Sequence, residues 1–205
     1  MIQGAYYILW QDVAKVIEEN LNNFSVSETI NRILFKEKEK EEVNFEEYRN
    51  EIKKILGTDA FDYLEEIDRT YLTSSCYLVK NEIKLPEYSP VIMPLFKGFE
   101  GYFRKIIYDL DFYPKAKIDK YWRIGNIFDR GKGVMKDQFK DKINNEIIIN
   151  QLEELFGFIK QRDDIFHSGI PTFIYVDDFE DAVEYYKNVL NIIHSSYKKI
   201  KQFLI

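Results

Sequence analysis

Arg162 and His167 stand five positions apart in the stretch Gln161-Arg162-Asp163-Asp164-Ile165-Phe166-His167-Ser168-Gly169. Histidine titrates near neutrality, so it can both take and give a proton. Arginine keeps its charge and presents a planar fork of donors that fits phosphate. Together the two suit cleavage of a phosphodiester without a metal. The chain has only 2 histidines, and His167 is the one with charged neighbours. Asp163 precedes it by four positions, a spacing that shares one helical face. A hydrogen bond from the ring to Asp163 would fix the tautomer and raise the histidine pKa. Arg162 lies about 140° round a regular helix from His167. The two converge within one chain only if the arginine swings over or the helix end distorts. The plainer reading is a surface helix end that carries charges.

A second group is Lys97, Glu100 and Arg104. Their i, i+3, i+7 spacing makes one polar stripe beside the apolar stripe of Phe96, Phe99 and Phe103. As surface ion pairs they would do little. As a site, Lys97 and Arg104 would meet phosphates while Glu100 orients them or the attacking hydroxyl. A third group is Arg130-Gly131-Lys132-Gly133. Alternating glycines and basic residues can wrap phosphate through backbone N–H groups. The spacing matches neither a Walker loop nor a dinucleotide fingerprint, and a flexible exposed loop is the commoner reading of such a stretch. His194, among Ile192, Ile193 and Tyr197, reads as a packing residue. Asp163-Asp164 and Asp177-Asp178 lack the spacing of metal ligands, so no metal and no cofactor is expected.

Helices must position these groups. Gly and Pro number only 9 and 5, and apolar residues recur at helical spacing over long segments. Gln3 to Leu21 reads as a helix, and Ser27 caps a second through Phe35. Lys36 to Glu42 is a solvated charge run. Asn44 caps a helix through Leu56, stopped by Gly57; Thr58 or Asp59 opens another to about Leu78. Leu85 to Pro90 is a connector. The next helix runs from Ile92 to Leu110, with Pro94 in its first turn. Asp111 to Lys142 is the least regular region. Asn144 or Asn145 opens the helix that carries Arg162, and Gly169 and Pro171 end it. Residues 173–176 form an extended loop or a short strand. Asp177 caps the last helix, which continues to Leu204.

Hydrophobic residues make up 45% of the 205 residues and aromatic residues 16%, enough for a sizeable core. The single cysteine, Cys76, excludes an intramolecular disulfide and reads as a buried thiol. Met1 to Trp10 lacks a basic n-region and a cleavage site, and no apolar run is long enough to span a membrane. A soluble, cytoplasmic protein is expected. The formal net charge of −6 argues against broad adhesion to nucleic acid, so any RNA contact must come from a concentrated site.

The pattern Arg162-Asp163-x-x-x-His167 at the end of a late helix resembles the signature of HEPN ribonucleases. Tyr88 to Tyr102, with Ile124-Gly125-Asn126-Ile127-Phe128 downstream, resembles the toxin-domain segment of RnlA/LsoA-type toxins, which are HEPN ribonucleases of toxin–antitoxin and anti-phage systems. In that family a basic residue and a glutamate three positions later contribute to activity. They map to Lys97 and Glu100, although arginine is the family's residue at the first position.

The resemblance implies an all-α, HEPN-like helical bundle over residues 71–205; residues 1–70, which it does not cover, read from their periodicity as an N-terminal helical extension. It implies a metal-independent endoribonuclease toxin in which the ribose 2′-OH attacks the adjacent phosphate. Arg162, His167, Glu100 and Lys97 would be catalytic; Arg104, Asp163, Arg130 and Lys132 would bind substrate. The partners implied are RNA, a cognate antitoxin and a second copy in a homodimer, with no membrane. Three alternatives use the same residues: a non-catalytic helical interaction module, a HEPN nuclease of a CRISPR-associated system, and a toxin neutralised by a nucleotidyl-transferring partner.

Overall fold

A computed structural model describes residues 43–82, 85–112, 124–129, 131–166 and 176–204. The helices expected at 3–21 and 27–35, the 36–42 charge run, Arg130, His167, Gly169, Pro171 and residues 173–175 lie outside the described residues. Those described form 7 α-helices and one two-stranded hairpin, an all-α bundle.

Helix α1, Phe45–Leu56, begins as its sequence dictates. The Asn44 side chain accepts from the Glu46 amide at 3.2 Å, and Gly57, at φ 79°, ends the helix. Sequence periodicity then predicts one helix, but the chain makes two: α2, Thr58–Tyr63, and α3, Glu66–Lys80. Between them Leu64 is extended, with its side chain buried in the core. Its carbonyl, lost to the helix, accepts from Arg69 Nε at 3.1 Å. Burial and a side-chain cap, not glycine or proline, break this helix.

Helix α4, Ser89–Asp109, starts three residues earlier than the periodicity suggests. Pro90, not Pro94, occupies the first turn, and Pro94 lies inside the helix. The Tyr88 amide just before it donates to the Val176 carbonyl at 2.9 Å. Strands β1, Phe128–Asp129, and β2, Val134–Met135, pair antiparallel. Short helix α5, Asp137–Ile143, follows. The two asparagines after it divide the labour: Asn144 ends α5 at φ 45°, and the Asn145 side chain accepts from the Ile147 and Ile148 amides. They open α6, Glu146–Phe166. Helix α7, Phe179–Ile200, is capped by Asp178, not Asp177. Asp178 stands three positions before Asp181, whose amide it accepts at 2.8 Å, the reach an N-cap needs.

Helix α4 is the central element, packed on α3, α6 and α7. It buries Leu95, Phe96, Phe99, Tyr102, Phe103 and Ile106. The Tyr102 hydroxyl lies 2.8 Å from Ser196 Oγ of α7. Phe128 of the hairpin stacks on Phe156 of α6, with ring centroids 4.1 Å apart and planes 6° from parallel. His194 packs half-buried on α7, and its Nδ1 donates to the Leu56 carbonyl at 2.6 Å, tying the end of α1 to α7. Cys76 is fully buried, and burial pushes its thiol pKa up.

Residues Asn44–Ile205 form one compact unit and Met1–Val43 another. The first of these takes in α1, α2 and the start of α3, which a boundary at residue 70 would assign to the extension. Helix α1 packs on α3 and α7, so it is part of the bundle. No helix among the described residues is long and apolar enough to cross a membrane.

Candidate active site

The register of α6 on α4 is set by two aromatic contacts. Phe158 meets Phe99 with centroids 5.8 Å apart, and Phe166 meets Phe96, also at 5.8 Å. Rising numbers on one helix meet falling numbers on the other, so the two run antiparallel. Positions 158, 162 and 166 repeat every four residues and share one ridge. Arg162 therefore stands midway between the two rings on α6, and its long side chain reaches Glu100, the residue just past Phe99 on α4.

The Arg162 guanidinium donates through Nη1 to Glu100 Oε2. Its Nε and Nη2 donate to Asp163 Oδ1 at 3.1 and 2.5 Å. Glu100 Oε1 accepts from Arg104 Nε and Nη2 at 3.1 and 2.7 Å. The four side chains form one row, Arg104–Glu100–Arg162–Asp163, spanning two helices. Arg162 and Glu100 are 23% and 24% exposed, and Arg104 is 47% exposed. The row is thus shielded at its centre and open at the Arg104 end. It carries two permanent positive charges against two carboxylates, so a bound anion would meet cations already held in place.

Lys97 lies one turn before Glu100 on α4, with its Nζ 5.4 Å from the centroid of the Tyr71 ring on α3. The polar stripe of Lys97, Glu100 and Arg104 is therefore real, but Lys97 leans towards α3 and not into the row. Asp163, which the spacing offers to His167, accepts from Arg162. His167 and Arg130 lie outside the described residues.

Gly131, Lys132 and Gly133 form the hairpin turn. Asp129 Oδ1 accepts from the Gly131 and Lys132 amides at 3.0 and 3.2 Å, and the Asp129 carbonyl accepts from Gly133 at 2.8 Å. Those amides are satisfied within the turn, so among its described residues the loop offers an anion the exposed side chain of Lys132 and not its backbone. Lys160 of α6 comes close: its Nζ lies 3.9 Å from the point where a Gly133 Cβ would stand. Nothing in the spacing of Lys160 singles it out; only the packing of the hairpin on α6 does.

Helix α3 approaches α4 through two glycines. A Cβ on Gly101 would fall 1.8 Å from Asp68 Oδ1, and one on Gly98 would fall 2.9 Å from Leu72 Cδ2. This close approach puts a buried carboxylate behind the Glu100 turn. Burial, then the charge of Glu65, pushes the Asp68 pKa up to about 6. Two clefts open elsewhere, one of about 440 Å³ between Phe112, Ile148 and Phe203, and one of about 310 Å³ beside His194 and Lys198.

A family model described as "RNase LS, bacterial toxin DBD domain" matches residues 40–169, more than half of the chain. The chain belongs to this bacterial toxin family. The match starts close to the compact unit at Asn44 and includes α1 to α6 with every residue of the Arg104–Asp163 row. It runs on through the Arg162 to Gly169 stretch. Helix α7 of this toxin domain lies beyond the matched segment, yet it closes the core against α4. No curated protein sequence matches the chain.

Proposed function

We propose that this toxin domain is a metal-independent endoribonuclease of a toxin–antitoxin or anti-phage system. The observation that carries the reading is the bridge from Arg162 to Glu100, which holds an arginine in a fixed pose five positions before His167. Three of the five guanidinium N–H donors of Arg162 serve Glu100 and Asp163. Two remain for the non-bridging oxygens of a phosphate.

In the proposed reaction the ribose 2′-oxygen bonds to the adjacent phosphorus and its proton leaves. The bond from phosphorus to the 5′-oxygen breaks, and that oxygen takes up a proton. The products are a 2′,3′-cyclic phosphate and a 5′-hydroxyl. His167 moves one of these protons, and Arg162 stabilises the charge that builds on the phosphorane. Glu100 is a positioning residue: both its oxygens accept from arginines, so it aims Arg162 and Arg104. Arg104, Lys97, Lys132 and Arg130 supply phosphate contacts along the strand. An antitoxin protein would neutralise the domain, and two copies would share one cleft.

The test is to incubate the purified chain with single-stranded RNA and identify the termini. Cyclic phosphate and 5′-hydroxyl ends, lost in His167→Ala, support the reading. Intact RNA with a folded native chain, and no growth arrest when the chain is expressed alone, would favour an interaction module.

A further inference from the structure

Tyr71 is partly buried on α3, and packing fixes where it points. Leu72 is fully buried against Gly98, and Asp68 is buried against Gly101. These two contacts set the rotation of α3 on α4. Tyr71, one residue and about 100° from Leu72, is thereby turned to the rim, where Lys97 Nζ meets its ring at 5.4 Å. Lys97 and Glu100 are i, i+3 neighbours, about 5–6 Å apart at Cβ. The ring is thus joined through Lys97 to the polar stripe in which Glu100 holds Arg162. Ile67, four positions before Tyr71 and on the same face of α3, is 56% exposed. An apolar edge on α3 thus runs beside the charged stripe of α4.

Single-stranded nucleic acid is bound by that pairing: cations follow the backbone, and an aromatic face takes a base. We infer that Tyr71 is a nucleobase platform, stacking one base of single-stranded RNA next to the phosphate that Arg162 holds, with Lys97 on the neighbouring phosphate. This subsite rests on the RNA-cleaving reading above. Stacking is indifferent to base identity, so it supplies position along the strand and not sequence choice.

The test uses short, fluorescein-labelled single-stranded RNA oligonucleotides made with 2′-O-methyl ribose, which cannot cleave by 2′-oxygen attack. Each carries one abasic position. With the native chain, one abasic position is expected to weaken binding on the order of 10-fold. Tyr71→Ala is expected to weaken binding of the intact oligonucleotide by the same factor and to be blind to that abasic position. Tyr71→Phe keeps the ring and binds as the native chain does. If Tyr71→Ala does not fold, Tyr71→Leu, which keeps apolar cover without a ring face, takes its place. Failure of both to fold would make Tyr71 a core residue and overturn the inference. A native chain indifferent to every abasic position overturns it too, as does a Tyr71→Ala chain that keeps the native sensitivity. Cleavage of ordinary RNA separates the two readings. A native chain that cleaves, with Tyr71→Ala equal to it in KM, removes the subsite alone. A native chain that neither binds nor cleaves removes the ribonuclease and the subsite together.

Discussion

Arg162 donates to Glu100 across 62 positions of sequence, joining α6 to α4 at the polar edge of an interface whose register the Phe158 and Phe166 rings set. Its removal should act on activity more than on stability. Arg162→Ala is expected to lower single-turnover RNA cleavage on the order of 10²–10³-fold, the cost of losing one preorganised donor group. In urea melts it should cost only about 1 kcal/mol, because the pair is partly solvated. Glu100→Gln keeps the side chain's shape but not its charge. It should lower kcat on the order of 10-fold with little change in the urea midpoint, since the arginines lose their aim but not their charge. Equal cleavage by native and Arg162→Ala chains would remove Arg162 from the site.

A second expectation concerns pH. Asp68 has a folded pKa of about 6 against an ordinary value of 3.8. Its folded pKa is the higher one, so the fold prefers the protonated acid. Well below pH 3.8 the acid is neutral in both states and costs nothing. As pH rises towards 6 the unfolded chain releases the proton first, and the native state loses stability. Above 6 the loss is complete and constant. Asp68→Asn is neutral throughout. The mutant should therefore gain on the native chain by about 1–3 kcal/mol between pH 4 and pH 7. Urea titrations of both chains at the two pH values measure the gap; a gap that does not move with pH would mean that Asp68 is not buried as charge.

Glycines in α4 and α6 offer an internal contrast. Gly101→Ala would drive a methyl into the Asp68 carboxylate and should destabilise by about 1–3 kcal/mol. Gly157, in the middle of α6, has open space around its Cα. Gly157→Ala should instead stabilise by about 0.5–1 kcal/mol, through helix propensity. Thermal melts of the two single variants check the sign of each.

Where structure is local, the sequence spells it out. Asn44 and Gly57 bracket α1 because a cap needs only a side-chain oxygen and a residue tolerant of positive φ. The stripe of Lys97, Glu100 and Arg104 follows from helical spacing alone. Where structure is tertiary, the letters are silent. The break at Leu64 depends on its burial and on Arg69 turning back to its carbonyl, and neither leaves a glycine or proline behind. The hairpin at 128–135 turns on Asp129 accepting the amides of the loop, which makes a glycine-rich stretch look like a phosphate cradle. Asp178 caps α7 in place of Asp177 because reach to the third helical amide decides between adjacent acids. The pairing of Glu100 with Arg162 needs the register set by Phe158 and Phe166, which no local spacing contains. Where Tyr71 points depends likewise on the packing of α3 on α4, which no local spacing contains.

Activity should persist in excess EDTA. Glu100 and Asp163, the two carboxylates of the row, already face arginines, so the positive charge a phosphorane needs is supplied by side chains. Cleavage rates measured with and without chelator should agree within about twofold, far from the several kcal/mol that a metal would contribute. Loss of cleavage in chelator, restored by magnesium or manganese, would contradict the chemistry proposed.

The last expectation concerns how two chains divide the work. A spacing of five positions would set Arg162 and His167 about 140° apart were the helix regular through both, and Arg162 is already turned onto Glu100 of its own chain. If two copies form one cleft, the histidine that serves a given Arg162 can come from the partner. Mixing Arg162→Ala chains with His167→Ala chains tests this. If the essential pair is shared between subunits, each mixed dimer regains one intact pair, and some cleavage returns where each parent is dead. If the pair acts within one chain, the mixed dimer has no intact pair and the mixture stays inactive. Catalysis by a shared cleft must also fall on dilution below the dimer's dissociation constant, because half a cleft cannot bind and turn over substrate. Cleavage per chain that is unchanged when sedimentation shows only monomer would reject the shared site, and leave each chain to bring its own histidine round to the Glu100–Arg162 bridge.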